Sequence, residues 1–224
     1  EFEGNTSNAV KYFQTTKKLM ENAKDRAGAL EIQLRIDYLK LNDLTEPVNI
    51  QKTFYDYLKS CESVFGKNSY KYAKTQFHIG EILINQGIPK DAIPLIEEAG
   101  IVIKEISGEN SIEYAKCLNA SGNAFYRSND PEAALLKHKQ AFSIFEKLVT
   151  LTERDALFTL RFIIEDYINI GEKVARDSLI DIYAARSAGF KGKLSDQKSV
   201  LLSLAWMRWS QNNYEQCEQH AFEY

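Results

Sequence analysis

Apolar and small side chains in the middle of the chain recur at a fixed spacing and predict pairs of helices. Residues 66–74 (GKNSYKYAK) align with residues 108–116 (GENSIEYAK), and Gly80 aligns with Gly122, at an offset of 42 residues. Within each segment the apolar positions follow steps of three and four, which is typical of amphipathic helices. Self-similarity at a period of this size indicates a solenoid of stacked helix pairs.

Polar residues and prolines mark where these helices are expected to begin. Asn68-Ser69 and Asn110-Ser111 precede the first helix of each pair, and their side chains can accept a bond from a free amide of the first turn. Asn110 with Glu113 three residues later fits a capping box. Pro89 and Pro131 are expected to open the second helices, because the N–H that proline lacks would be unpaired there in any case.

Small residues share one face of each predicted helix. Ala73 and Gly80 lie on the first helix, and Ala92 and Ala99 on the second, each pair seven residues apart. The next repeat carries the same set, namely Ala115, Gly122, Ala134 and Ala141. Small side chains at helical spacing allow two backbones to approach closely, so we expect these positions to be buried between paired helices.

This pattern of one glycine and two alanines resembles the tetratricopeptide repeat. The 42-residue period, the Ala-x-Pro-Leu run at 92–95 and Asn119 in the first helix resemble the longer repeats of kinesin light chains. We therefore predict an all-α fold, a right-handed superhelix of about eleven helices, in which the first helices line the concave side. The resemblance implies a scaffold or adaptor whose concave groove binds an extended peptide of a partner protein.

We expect the whole chain, residues 1–224, to form a single solenoid and to be a fragment of a longer one. The predicted units are a half repeat (5–23), a degenerate repeat (24–65), two repeats (66–107 and 108–149), a degenerate repeat (150–191) and a truncated repeat (192–224). In the first degenerate repeat, Tyr38 stands in the place of Gly80 and Tyr57 in the place of Ala99. These larger side chains predict either wider helix spacing or a shifted register there.

Positions one step away from the packing face of the first helices are the candidate peptide-binding residues. They are Lys74, Phe77, Glu81, Lys116, Asn119, Asn123, Tyr126, Arg127, Arg161 and Trp206. Asn119 and Asn123 lie one turn apart and can each donate and accept a hydrogen bond, which suits a peptide backbone. The four positive charges in the set favour an acidic or carboxylate-bearing peptide.

Structural interpretations of the same residues stay open. Lysines and arginines on a helix are usually a solvated face, and Phe77 and Tyr126 can equally be packed against neighbouring helices. Trp206 and Trp209 are consistent with packing, with an aromatic anchor for a peptide or with an interface to a further repeat. The alternative function is a structural arm that self-associates through its convex or end surfaces.

Composition and charge exclude several other classes of protein. A net charge of −3 gives no support for binding to nucleic acid. The three cysteines, with no CxxC pair, indicate neither a disulfide framework nor a zinc site. This favours a reducing, cytoplasmic environment. No apolar run reaches the roughly 18 residues that suggest a membrane span.

Candidate catalytic chemistry is absent from the sequence. His78, His138 and His220 stand on separate predicted helices, without a Ser, Cys or carboxylate partner at a spacing that implies a triad or a ligand set. We interpret each as a packing or surface residue. Gly80 and Gly122 fall inside predicted helices, so neither belongs to a phosphate-binding loop. We therefore expect no enzymatic activity, no metal and no cofactor.

Overall fold

The computed structural model describes residues 5–42, 50–213 and 216, and all regular structure within those residues is helical. The helices are α1 (Asn5–Asn22), α2 (Arg26–Asn42), α3 (Ile50–Phe65), α4 (Tyr70–Asn85), α5 (Pro89–Ser107), α6 (Ile112–Arg127), α7 (Pro131–Lys147), α8 (Val149–Ile170), α9 (Lys173–Ser187) and α10 (Leu194–Ser210). The predicted all-α solenoid is confirmed. The expected partner of α10, at 214–224, lies outside the described residues except for Gln216.

The helix starts follow local side-chain chemistry. Ser69 and Ser111 each accept a hydrogen bond, 3.2 Å long, from the backbone amide three residues further on. The N-cap of α6 is therefore Ser111, so the predicted capping box of Asn110 with Glu113 is wrong. Asn110 instead accepts a 3.1 Å bond from Lys147 Nζ at the end of α7, which ties together the two ends of one repeat.

The predicted burial of small residues is confirmed. Gly80 packs so closely on α5 that a Cβ added to it would lie 2.4 Å from Ile96 Cγ1. Gly122 has the same relation to His138 on α7, again at 2.4 Å. The alanines of both repeats are fully buried, namely Ala73, Ala92, Ala99, Ala115, Ala134 and Ala141. The pairs α4/α5 and α6/α7 are thus each held at a distance that only small residues permit.

Successive helices pack in chain order, and the first helices of neighbouring repeats also touch. Beyond contacts between sequential helices, the closest contacts join α4 to α6, α6 to α8, and α8 to α10. These helices therefore form one layer, and α5, α7 and α9 form the other. Helices that lie closest together line the inner side of a curved stack, so we infer that α4, α6, α8 and α10 line the concave wall.

Ion pairs connect one repeat to the next in both layers. Four of them join residues that are about one repeat apart, namely Glu31–Lys71, Glu97–Lys137, Glu146–Arg186 and Arg154–Asp196. Arg186 holds Glu146 with two bonds, of 2.6 and 2.8 Å. Such bidentate pairs fix geometry as well as charge, so they set the orientation of successive helix pairs.

Candidate interaction surface

The inward side of α4 borders a cleft that separates it from α2. The cleft has a volume of about 580 Å³, and side chains from α1, α2, α3 and α4 line it. Lys74 and Glu81, two of the predicted peptide-binding residues, lie on its wall. Further along the solenoid the first helices touch directly. The stack is therefore more open between α2 and α4 than it is further along.

The cleft combines an apolar lining with uncompensated positive charge. Glu31 and Lys71 pair across it at 3.0 Å, and Glu81 Oε2 lies 3.2 Å from His78 Nδ1. Arg35 and Lys74 also line the cleft, and neither forms an ion pair with any residue that the structure describes. Apolar surface comes from Leu39, Tyr57, Phe65 and Ile82. An anionic group beside an apolar body fits this combination.

The middle of the wall is polar and formed by α6. Lys116 is exposed, and Asn119, Asn123 and Tyr126 are half-buried. Asn119 Oδ1 is shielded from solvent and has no hydrogen-bond partner among the described residues. The structure thus places the predicted amides next to one another on the wall, with one oxygen still unpaired.

Arg127 and Arg161 both bind other groups of the same chain. Arg127 Nη1 donates a 3.0 Å bond to the carbonyl of Ile84 at the end of α4, where a positive charge also suits the helix dipole. Arg161 Nη1 lies 2.9 Å from Glu165 Oε1, and its guanidinium stacks 4.4 Å from the centre of the Phe162 ring. These two residues were predicted as ligand contacts, and the structure gives both a structural partner.

The wall becomes apolar at α10. Leu202, Trp206 and Trp209 are 57, 41 and 57% exposed, and their spacing places them on one face of the helix. Phe77, at the other end of the wall, is half-buried and packs against the core formed by α3, α4 and α5. Packing therefore explains Phe77, and it does not explain Trp206 within the described part of the chain.

Sequence reasoning missed several residues of the cleft. Arg35, Lys71 and His78 were not among the candidates, although each lines the cleft. The degenerate repeat lacks the small residues by which the other repeats are aligned. The residues of α2 that face the cleft could therefore not be identified from the sequence. A run of basic residues at helical spacing on α4 (Lys71, Lys74, His78) was the available signal.

Two histidines have carboxylate partners in the structure. His78 pairs with Glu81 one turn further along α4. His138 is buried, as a packing residue would be, but its Nδ1 lies 2.6 Å from Asp166 Oδ2 on α8.

Nucleophilic chemistry is not favoured at the buried Cys117 thiol. Burial raises the pKa of Cys117 to about 12, so this thiol stays protonated.

In residues 5–42, 50–213 and 216, no three His, Cys, Asp or Glu side chains are grouped closely enough to hold a metal ion. None of the helices in those ranges is both long enough and apolar enough to cross a membrane.

The fold and this surface define an α-solenoid of helical hairpins with a concave wall. Residues 71–147 match the family model of the tetratricopeptide repeat, which confirms the tetratricopeptide-repeat prediction for that segment. Such repeats generally mediate protein–protein interactions. No curated protein sequence matches the chain.

Solved structures share the fold over nearly the whole chain. BtubC (BKLC) from P. vanneervenii superposes with a TM-score of 0.74 at 12% identity, covering 98% of this chain and 88% of that one. The putative kinesin light chain of Podosopora anserina, with nearly identical TPR-like repeats, gives a TM-score of 0.62 at 10% identity, covering 95% and 91%. A second crystal structure of that protein, a variant, gives 0.64 at 10% identity, covering 100% and 94%. The resemblance to kinesin-light-chain-like repeats is thereby confirmed at the level of the fold.

Proposed function

We propose that the protein is an interaction scaffold or adaptor whose concave wall binds a peptide segment of a partner protein. The observation that carries the proposal is the cleft between α2 and α4, where Arg35 and Lys74 have no ion pair within the described residues. Two unpaired cations beside an apolar lining favour an acidic or carboxylate-bearing peptide. The proposal assigns no catalytic residue, cofactor or nucleic acid.

A charge-reversal experiment tests this proposal. The probe is an array of ten-residue peptides containing three Asp or Glu residues, with a matched array in which Asn and Gln replace them. Binding is compared between the unmodified protein and the double variant Arg35→Glu with Lys74→Glu. The control, Arg26→Glu with Lys90→Glu, reverses the same two residue types at exposed positions outside the cleft.

We expect the acidic array to bind more strongly than the amide array, and the binding to weaken as salt is added. The cleft variant should lose this preference, and the control variant should keep it. Equal binding to both arrays, or equal loss in both variants, would contradict the proposal.

A second candidate function is self-association through an end surface. The exposed face formed by Leu202, Trp206 and Trp209 on α10 favours it, because contiguous apolar surface is typical of protein contacts. Association through this face would persist at high salt. The substitution Trp206→Ser with Trp209→Ser should abolish it in sedimentation experiments, whereas the cleft variant should not.

We further place the protein in the cytoplasm. Two of its three cysteines, Cys61 and Cys117, are buried free thiols in the structure. This fits a reducing compartment. Fluorescence microscopy of the tagged protein in its source cell would test the assignment, and a signal confined to a secretory compartment would contradict it.

A further inference from the structure

A histidine and an aspartate replace apolar residues in the core between α7 and α8. His138 occupies the place that Ile96 has one repeat earlier and Ile180 one repeat later, and Asp166 occupies the place of Ala124. All three equivalent residues are fully buried. His138 and Asp166 are buried as completely, with side chains 1% and 0% exposed. The acid–base pair therefore lies where the fold itself requires only apolar contact.

The surroundings of the pair isolate it from solvent. His138 Nδ1 and Asp166 Oδ2 are 2.6 Å apart, and the other two polar atoms, His138 Nε2 and Asp166 Oδ1, have no partner among the described residues. Gly122 of α6 closes one side of the imidazole. The ring of Phe162 stacks on the imidazole at 5.2 Å between centroids, with an angle of 19°. The pair is thus shielded from solvent and makes no further side-chain hydrogen bond within the described residues.

Charged groups near the pair come mainly from α8. Glu165 of that helix interacts electrostatically with both His138 and Asp166, and Arg161 interacts with Glu165. The helix α6 presents the uncharged Gly122, and Lys139 of α7 lies over the ring of the adjacent Tyr167. Burial raises the pKa of Asp166, although the bond to His138 opposes the shift. Burial likewise raises the pKa of Glu165, against the effect of Arg161. Additional negative charge is therefore unfavourable in this part of the core.

We propose that His138 and Asp166 form a proton-controlled joint between α7 and α8. With one proton shared between them the pair is electrically neutral, and the two helices stay packed. When that proton passes to solvent, neutral imidazole and carboxylate remain, and a net negative charge is left in the core. The contact between α7 and α8 then loosens. Because α8 carries Arg161 and Glu165, loosening of this contact would make the position of these two residues on the concave wall dependent on pH.

The direction of the pH dependence follows from proton linkage. A site that binds its proton more tightly in the folded than in the unfolded chain stabilises the fold at low pH, and this stabilisation is lost as pH rises. One proton changes the unfolding equilibrium constant by at most about tenfold per pH unit.

The test compares urea unfolding between pH 5.5 and 8.5 for the unmodified protein and for His138→Ile with Asp166→Ala. This double variant carries the residues of the neighbouring repeats. All other ionisable groups are the same in the two proteins, so the comparison isolates the contribution of His138 and Asp166. We expect the unfolding constant of the unmodified protein, divided by that of the variant, to rise with pH. A flat or falling ratio would overturn the proposal.

A second variant tests the proposal even if the first variant, His138→Ile with Asp166→Ala, does not fold. Asp166→Asn keeps the shape of the side chain and removes its charge, so protonation of His138 would then create the buried charge. The pH slope of stability should reverse its sign in Asp166→Asn, and an unchanged slope would overturn the proposal.

Local amide exchange identifies the moving element. After correction for intrinsic rates, raising the pH from 5.5 to 8.5 should reduce protection in α7 and α8 more than in α4 and α5. An equal effect on both helix pairs would overturn the assignment of a joint.

Discussion

The imidazole of His138 lies directly against Gly122, and a Cβ added to that glycine would be 2.4 Å from ring atoms Cδ2 and Nε2. Ile96 has the same relation to Gly80 one repeat earlier. The distance between the two helices of a repeat is therefore set by the absence of a side chain at one position.

We expect Gly122→Ala to lower the free energy of unfolding by about 1–3 kcal/mol through overpacking. The loss should occur although alanine favours helix over glycine by about 1 kcal/mol. Urea denaturation measures the change. Gly100→Ala is the control, because a Cβ there would meet Cys117 Cβ at an ordinary 3.5 Å, so it should be neutral or stabilising. Equal effects of the two substitutions would contradict this account of helix spacing.

The cap of α6 gives a second prediction. Ser111 accepts a bond from the amide of Tyr114, so Ser111→Ala should cost about 1 kcal/mol of unfolding free energy. Ser143 is exposed inside α7, and Ser143→Ala should change stability little or increase it slightly. Thermal unfolding of both variants makes the comparison, and a neutral Ser111→Ala would refute the capping role.

The two amides on α6 are expected to bind the peptide backbone. Replacing Asn119 and Asn123 with alanine should weaken peptide binding by about tenfold or more, since each lost hydrogen bond is worth about 0.5–1.5 kcal/mol. Fluorescence anisotropy with a peptide selected from the acidic array measures affinity, and circular dichroism shows whether the fold is kept. The double substitution Asn22→Ala with Gln140→Ala, at exposed positions, is the control. Unchanged affinity in the Asn119 and Asn123 variant would exclude these amides as contacts.

The bond between Glu146 and Arg186 predicts a dependence on pH. Hydrogen bonds from Arg186 hold the pKa of Glu146 below its ordinary value near 4.5. The ion pair therefore stabilises the fold fully at pH values above the ordinary pKa of glutamate. This stabilisation is lost as pH falls through the lowered pKa of Glu146. Because the pair is partly exposed, Glu146→Gln should cost at most about 1 kcal/mol at pH 7.

Urea denaturation at pH 7 and pH 3 measures this difference. Glu105→Gln, at an exposed position of α5, provides the reference for removing one carboxylate. A Glu146→Gln effect that is as large at pH 3 as at pH 7 would show that the ion pair with Arg186 does not stabilise the fold.

Sequence reasoning reached the candidate surface only where the repeats are regular. Lys74 and Glu81, which the alignment with α6 indicated as inward-facing candidates, line the cleft. Arg35 was missed, since α2 lacks the small residues that fix its register. Arg127 could not be recognised as a partner of the Ile84 carbonyl, because the two residues meet only when α4 and α6 are stacked.

The sequence by itself determined the helix pairs, their caps and the buried glycines and alanines, because these depend on interactions within a few turns of one chain segment. Only the tertiary structure decided which charges are paired and where the wall opens. Glu31 with Lys71, and His138 with Asp166, belong to successive repeats. Their contacts depend on how far apart the stacked helices stand, and that distance is set jointly by all the side chains between them.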